Sequence, residues 1–576
     1  MSVLGAEVET GRQIVRSVKI YGNDHFGRVA LLSAMDVHPK STLPPTWSEE
    51  SVKNLLSWYT RQGYLFARVD SIRTETSTDS HFVDLNIWIF EGEQVRVGRV
   101  EIVGTEEIPR QELLRLLETR SGRIFDERVL EQDVDEILVF LENSGRPLSR
   151  VEIQSLSLRW ERDRPKLDVR LWVEGGPSVT VDSIRVEGNR LTREKVILRE
   201  SRLKKGSLYR HRGVLSVREN LQRLGFFQEV AEPEVIFVEE RAVVTLRVKE
   251  GNANTLDGVL GYSPPRVEGR KGYFTGRLQF TFRNLFGTGR FLEAYWEKKD
   301  EYTQAMRFGY EEPWLLGQPI HVGGRFWQEV RDTTYVEREW RFSVRYVPWV
   351  SLSMSLEGGQ KEVLPDSSGS VLFSLPQSRS WLLSVGVEYN TLDDPLNPRK
   401  GVRYHTTFTM GRKRNVGPGF LKEQEDWRDV VNTRRIQVDV EAALSTFRYQ
   451  VFYLGLHGTE VRTGEPYVPV SDQIRFGGAR TLRGYAEDAF RGTLVAWANS
   501  EYRYLLGRRS RVFVFVDGGM YQRQERVSGL VKGAKLGYGF GIRLETRLGL
   551  IGIDYGLGEG DSLMRGKIHV GLVNRF

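Results

Sequence analysis

Chemistry in this 576-residue chain is sought first at its eight histidines, His25, His38, His81, His211, His321, His405, His457 and His569. None stands at the His-x-x-x-His or His-Glu-x-x-His spacing that places two metal ligands on one helix face. Cysteine is absent, which removes thiol nucleophiles, zinc–cysteine sites and disulfides. Gly560 to Gly566-Lys567 is a poor phosphate loop, with Ile568 where Ser or Thr is needed, and no Gly-x-Ser-x-Gly elbow occurs. The chain is therefore expected to have no catalytic residue, no metal and no cofactor, and not to be an enzyme. What remains is charge. Ile474-Arg475-Phe476-Gly477-Gly478-Ala479-Arg480-Thr481-Leu482-Arg483-Gly484-Tyr485 lies in a polar gap between two strand-like runs, and its glycines suit a loop folded back on itself. Downstream, Glu501 and the Asp517 of Phe515-Val516-Asp517-Gly518-Gly519 place carboxylates on strands. Taken alone, Leu482-Arg483-Gly484-Tyr485 is an ordinary surface loop.

The elements that would position these groups fall into two textures. Over residues 15–252 a pattern recurs three times. Each copy opens on an alternating strand ending in a glycine turn: Ile20-Tyr21-Gly22-Asn23, Ile102-Val103-Gly104, and Val186-Glu187-Gly188-Asn189. Helical spacing follows, closed by Gly63, Gly145 and Gly225, and a last strand stops at Glu91-Gly92, Glu174-Gly175 and Glu250-Gly251. The spacing predicts strand, two helices, strand, strand in each, over 15–95, 96–176 and 177–252. Such small sheets leave edges able to accept an added strand.

From 253 to 576 two-residue alternation takes over. Trp340, Phe342, Val344 and Tyr346 alternate with Arg341, Ser343 and Arg345; Leu536, Tyr538, Phe540 and Ile542 alternate with Gly537, Gly539 and Gly541. About sixteen such runs predict a 16-stranded antiparallel transmembrane β-barrel, since strands of roughly 9–11 residues cross a bilayer and closure satisfies every backbone group. No run is long and apolar enough for a membrane-crossing helix. Residues 361–378 and 412–433 read as long polar loops on the outer face. A lipid-facing carboxylate is costly, so Asp517, on the face of Phe513 and Phe515, should point into the lumen, as should Glu501. Net charge is +7, from 83 basic and 76 acidic residues without long runs, so no nucleic-acid partner is expected. Residues 1–14 lack the basic start and apolar core of a secretory signal; an exported chain is expected here as a mature or trimmed form, or with its start assigned late.

The loop, the Phe515–Gly519 strand, the three repeats, the Asp393 to Gly401 turn and the terminal Ile568, Val570, Leu572 and Phe576 together resemble the outer-membrane POTRA-plus-barrel assembly superfamily. Three repeats before the barrel are most similar to its translocation and assembly module (TamA) branch; general assembly factors of the BamA kind usually carry more repeats and two-partner secretion transporters fewer. The resemblance implies a bacterial outer-membrane location with the repeats in the periplasm. It implies that Arg483, within Arg483-Gly484-Tyr485, meets Asp517, with Glu501 a second acceptor. It also implies a function: assisting the folding and insertion of unfolded outer-membrane clients into the lipid bilayer, with a long periplasmic partner of the TamB kind. The expected route is a weak seam between the first and last barrel strands, at Gly258, Val259 and Gly261 on one side and Val570, Gly571 and Phe576 on the other. The alternatives are a two-partner-type secretion pore for one dedicated substrate, and a passive porin-like channel or receptor.

Overall fold

The computed structural model describes residues 13–43, 46–77, 82–104, 108–252, 254–263, 273–394, 397–507, 509–546 and 549–575. The chain forms two compact units: Met1–Ile184 with Lys204–Val214 and Val235–Val244, and Arg185–Leu203 with Leu215–Glu234 and Thr245–Phe576.

Three small α+β modules come first. The first holds β1 (Gln13–Tyr21), α1 (Arg28–Met35), β2 (Thr42–Leu43), α2 (Trp47–Arg61), β3 (Arg68–Thr76) and β4 (Phe82–Phe90), in sheet order β2-β1-β4-β3. The second holds β5 (Arg96–Val103), α3 (Arg110–Leu116), α4 (Glu127–Asn143), β6 (Arg150–Glu161) and β7 (Arg164–Glu174), in order β5-β7-β6. The third holds β8 (Thr180–Glu187), α5 (Glu194–Ser201), α6 (His211–Arg223), β9 (Phe227–Val230), β10 (Glu234–Val238) and β11 (Arg241–Glu250), in order β10-β11-β8 with β9 on β11. First and last strands pair in parallel, β1 with β4 and β5 with β7. The packing follows from periodicity: Leu130, Ile137 and Leu141 share one face of α4 and bury against Leu167, Val169, Leu171 and Val173, the inward residues of β7.

The repeated glycines have a steric cause. Gly22, Gly104 and Gly188 sit at φ of 79°, 88° and 87°, where an added Cβ would stand 2.1, 2.7 and 2.0 Å from the carbonyl oxygens of Ile89, Val173 and Val248. The repeated Glu-Gly has an electrostatic one. Glu250 accepts the backbone N–H groups of Arg190, Leu191 and Thr192 at 2.9, 2.8 and 2.6 Å. Glu91 accepts the N–H of His25 and the hydroxyl of Tyr59 at 2.8 and 2.7 Å. In the first and third modules the end of the last strand therefore holds the turn after the first. The glycines that close the helices join modules: Gly63 accepts the Val95 N–H and Gly145 the Val179 N–H, both at 2.8 Å.

The second texture is a closed barrel of sixteen neighbouring antiparallel strands. In order these are β12 (Thr255–Ser263), β13 (Tyr273–Leu285), β14 (Arg290–Lys298), β15 (Gln304–Glu312), β16 (Ile320–Arg331), β17 (Tyr335–Trp349), β18 (Leu352–Pro365), β19 (Gln377–Asn390), β20 (Gly401–Gly417), β21 (Val430–Phe447) and β22 (Gln450–Thr463). The loop after β22 carries a two-stranded ribbon, β23 (Ile474–Phe476) with β24 (Phe490–Gly492). β25 (Leu494–Leu505), β26 (Arg511–Glu525), β27 (Gly529–Thr546), β28 (Gly549–Gly558) and β29 (Lys567–Arg575) complete the wall. Apolar side chains face outward: Val514 and Val516 are exposed, while Phe513, Phe515 and Asp517 between them are buried. Short α7 (Ser367–Leu372) and α8 (Gly419–Lys422) cap two hairpins. The two long loops expected at 361–378 and 412–433 are shorter than that. β18 continues to Pro365, β20 to Gly417, and β21 starts at Val430. Charged residues do not stop a strand there, because the ladder needs only backbone groups: Lys361 and Lys413 turn inward to Asp472, and Arg412 and Arg414 lie exposed on the other face.

Candidate functional site

The segment between β22 and β25 folds back into the barrel and is held by Arg483. Its backbone N–H and Nε donate to Asp517 Oδ2 at 3.0 and 2.7 Å, and Nη2 donates to Oδ1 at 2.8 Å. Nη1 reaches Glu501 Oε1 at 2.7 Å, while Glu501 Oε2 accepts Arg503 Nε at 2.7 Å. Arg483 is 4% exposed, Glu501 7% and Asp517 0%, so two guanidiniums and two carboxylates balance away from solvent. All of these bonds are charge-assisted, and the Arg483–Asp517 pair is bidentate, the strong kind. The guanidinium carbon also lies 3.7 Å from the centre of the Phe515 ring, a cation–π contact.

Glycines on the barrel wall make this approach possible. A Cβ on Gly537 would stand 2.0 Å from the Arg483 carbonyl oxygen, and one on Gly556 would stand 2.6 Å from the Gly484 nitrogen. Gly484 itself has φ of 92° and would bring a Cβ within 2.5 Å of the Leu557 carbonyl carbon. Tyr485 ties the loop to β27 and the end of β28, its hydroxyl donating to Leu536 O and accepting from Glu559 N, both at 2.9 Å. Behind the arginine, Phe476, Leu482 and Val495 form a small apolar core. Asn499 Nδ2 donates to Thr481 O at 2.9 Å.

Two further anchors escaped the sequence reading. Asp472 takes Lys413 Nζ at 2.8 Å and Lys361 Nζ at 3.2 Å, and Glu465 takes Lys413 at 3.0 Å. Asp488 takes Lys299 at 2.9 Å and Arg331 at 3.0 Å. The loop is thus pinned to β25 and β26, to β18 and β20, and to β16 with the end of β14, which strings it across the lumen. Parity was the available signal: Lys413 lies on the face of Thr409 and Gly411, opposite Phe408 and Met410. Assigning 412–433 to an outer loop hid it.

The closure between first and last strands is short. Among the described residues β12 and β29 register at Thr255–Arg575, Leu256–Asn574 and Asp257–Val573. β12 pairs with β13 at nine positions, and β28 with β29 at seven. Gly258, Val259 and Gly261 pair with β13, opposite Leu278, Arg277 and Thr275. Val570 and Gly571 pair with β28, opposite Ile553 and Gly552. The expected seam residues therefore lie beyond the three-pair closure, each held by its inner neighbour. Phe576 lies outside the described residues, as do Pro264 and Pro265.

At the other end of the lumen, Arg199 Nη2 donates to Thr288 O at 2.9 Å, Arg202 to Val347 O at 2.9 Å and Arg223 to Asn390 O at 3.1 Å. These arginines of α5, its C-cap and α6 hold the barrel's short turns.

Residues 284–576 match the Omp85 superfamily domain, and residues 13–92, 95–174 and 179–251 match the surface antigen variable number repeat, or POTRA. The putative outer membrane protein assembly factor of Treponema pallidum is 25% identical over 334 residues, covering 55% of this chain and 39% of that protein. The outer membrane protein assembly factor BamA of Neisseria meningitidis is 23% identical over 280 residues, covering 48% of this chain and 34% of that protein. The chain thus spans less than two thirds of either relative. Among solved structures, CdiB from Acinetobacter baumannii aligns with a TM-score of 0.50 at 13% identity, over 83% of this chain and 90% of that one, a likeness of fold. Three POTRA repeats, a sixteen-stranded barrel with its polar face inward and a match over more than half the chain agree: this protein belongs to the Omp85 superfamily and resides in the outer membrane with its repeats in the periplasm.

Proposed function

We propose that the protein assists folding and insertion of outer-membrane β-barrel or autotransporter clients, and that client strands enter where β12 and β29 part. The observation that carries this reading is the three-pair closure, set against nine and seven pairs on its two sides. A short ladder exposes unpaired N–H and C=O groups on both strands, and a client strand would exchange one set of backbone bonds for another at little net cost. No nucleotide or cofactor enters such a reaction, and no covalent bond is made or broken. The periplasmic modules would present clients or a long periplasmic partner with an edge. On β6, which pairs with β7, Ile153, Leu156, Leu158 and Trp160 are exposed, a surface suited to an added strand.

Absence of native cysteine allows a direct test. Asp257→Cys with Val573→Cys, which stand opposite each other across the closure, and neighbouring pairs should cross-link on oxidation. Assembly of client barrels in proteoliposomes should stop when locked and resume on reduction. Undiminished assembly by the locked protein would remove parting of this seam from the mechanism. The anchored loop disfavours the porin-like alternative; steady, large single-channel conductance would restore it. Undiminished export of one substrate with the seam locked would support the secretion-pore alternative.

A further inference from the structure

The outward face of β19 to β22 carries an arrangement that barrel closure does not explain. Near the ends joined by the longer hairpins, away from the connection to the modules, Arg379, Arg412, Arg414, Arg434 and Arg462 all point outward. Strand register sets Arg379 directly opposite Arg414, and Arg434 directly opposite Arg462. Like charges in directly opposed positions repel and weaken a sheet. Only partial neutralisation is at hand: Arg379 pairs with Glu362 at 3.0 Å and Arg462 with Glu460 at 2.8 Å. The side chains of Arg412, Arg414 and Arg434 make no ion pair or hydrogen bond among the described residues, and all three are exposed. Five guanidiniums against two carboxylates leave three cations without a partner.

Immediately below this cluster the same face turns apolar. Trp381, which registers opposite Arg412, is 67% exposed, and Met410, Leu383 and Ile436 continue the surface outward. In a membrane protein such a surface meets acyl chains, and an aromatic at its border marks the head-group level. The arginines therefore stand at the height of the outer-leaflet head groups.

We propose that this face is a binding site for a phosphate-bearing lipid of the outer leaflet, its phosphates bridging Arg412, Arg414 and Arg434 and its acyl chains lying on Trp381, Leu383 and Met410. Guanidinium forks match phosphate oxygens bidentately, and the anion would relieve both opposed arginine pairs. The apolar belt continuous with the cluster commits the site to a lipid and not to a free anion.

The test uses the full chain in neutral detergent and counts bound lipid by native mass spectrometry. The probe is a diphosphorylated, multiply acylated glucosamine disaccharide, with its dephosphorylated form as control. Arg412→Gln/Arg414→Gln/Arg434→Gln should lower binding by about tenfold or more, while the corresponding Lys triple, which keeps the charge but loses the forks, should bind between the Gln triple and the wild type. The dephosphorylated lipid should bind the wild type no better than the Gln triple. Unheated gel mobility reports whether the barrel has formed; should the Gln triple fail there, Arg434→Gln alone must still lower binding several-fold. Equal binding by wild type and a folded Gln variant overturns the proposal. Displacement of the lipid by inorganic phosphate at matching concentration also overturns it, because the site would then be one for a free anion.

Discussion

In the second periplasmic module Leu167, Val169, Leu171 and Val173 alternate along β7 and turn inward to meet α4. In the barrel Val512, Val514 and Val516 alternate along β26 and turn away from the interior, while Phe513, Phe515 and Asp517 face it. The same two-residue period serves opposite packing. A module sits in water and must hide its apolar face, whereas the barrel sits in lipid and can leave its apolar face outward. The interior made available by that inversion is then filled with charge. The modules bury the carboxylates Glu91 and Asp133 beside their apolar clusters, each held by backbone N–H or hydroxyl donors, but the barrel holds the ion-paired Arg483, Glu501, Asp517, Lys413 and Asp472. A buried charge needs its partner, so the lumen is more specific and more fragile than a module core.

Breaking the central pair should show the largest effect. Arg483→Ala leaves Asp517 without its guanidinium and Glu501 with Arg503 alone, at about 3–5 kcal/mol if the lumen stays dry. The loop should become protease-sensitive at 470–490 and client assembly should fall, while heat-dependent gel mobility shows that the barrel persists. Unchanged proteolysis there would mean that the arginine does not hold the loop.

The inversion itself can be probed by paired substitutions. Leu171→Ala opens a cavity in a module core, about 2–5 kcal/mol, and should lower the denaturant midpoint of the periplasmic modules. Val516→Ala should cost the barrel much less, because lipid fills the space, whereas Val516→Lys should cost about 2–4 kcal/mol near the bilayer centre. Comparable losses from the two alanine variants would show that β26 does not face lipid.

Two glycines of the barrel wall sharpen the inside–outside contrast further. Gly537→Ala places a methyl 2.0 Å from the Arg483 carbonyl and should cost about 1–3 kcal/mol by overpacking, seen as loosening of residues 470–490. Gly518→Ala, whose Cβ meets nothing within 4 Å, should leave the loop unchanged.

The smallest expected effect is a pH dependence in the third module. Burial pushes the Glu250 carboxyl up, but the N–H groups of Leu191, Thr192 and Arg190, with the Thr192 hydroxyl, outweigh it and hold the group below its ordinary value. A lowered folded-state value means stability that is complete above the unfolded carboxyl's range, near 4.3, and is lost as pH falls through the folded value. Glu250→Gln should remove that acid-side decline from urea unfolding of the module and cost about 1 kcal/mol at neutral pH. An unaltered acid limb would assign the decline to other carboxylates.

Much of this architecture is legible along the chain, for a definite reason. Spacing between neighbours reports local geometry, so the change from helix-and-strand repeats to two-residue alternation separates the modules from the barrel. Parity along β26 puts Asp517 with Phe513 and Phe515. Recurrence of Gly22, Gly104 and Gly188 marks three copies of one turn. Their steric cause is not local: it is the carbonyl of a last strand some sixty residues or more away.

What the sequence determined by itself was the period, the parity and the repeat, because each depends on residues a few positions apart. The tertiary structure decided the loop's path, since Asp472 and Asp488 meet Lys361, Lys413, Lys299 and Arg331 only after the sheet has closed. It also decided that the closure lies at residues 255–257 and 573–575 instead of around Gly258–Gly261 and Val570–Gly571. Register at a closure is set by the tilt accumulated over all sixteen strands, a quantity that no short stretch of the chain contains.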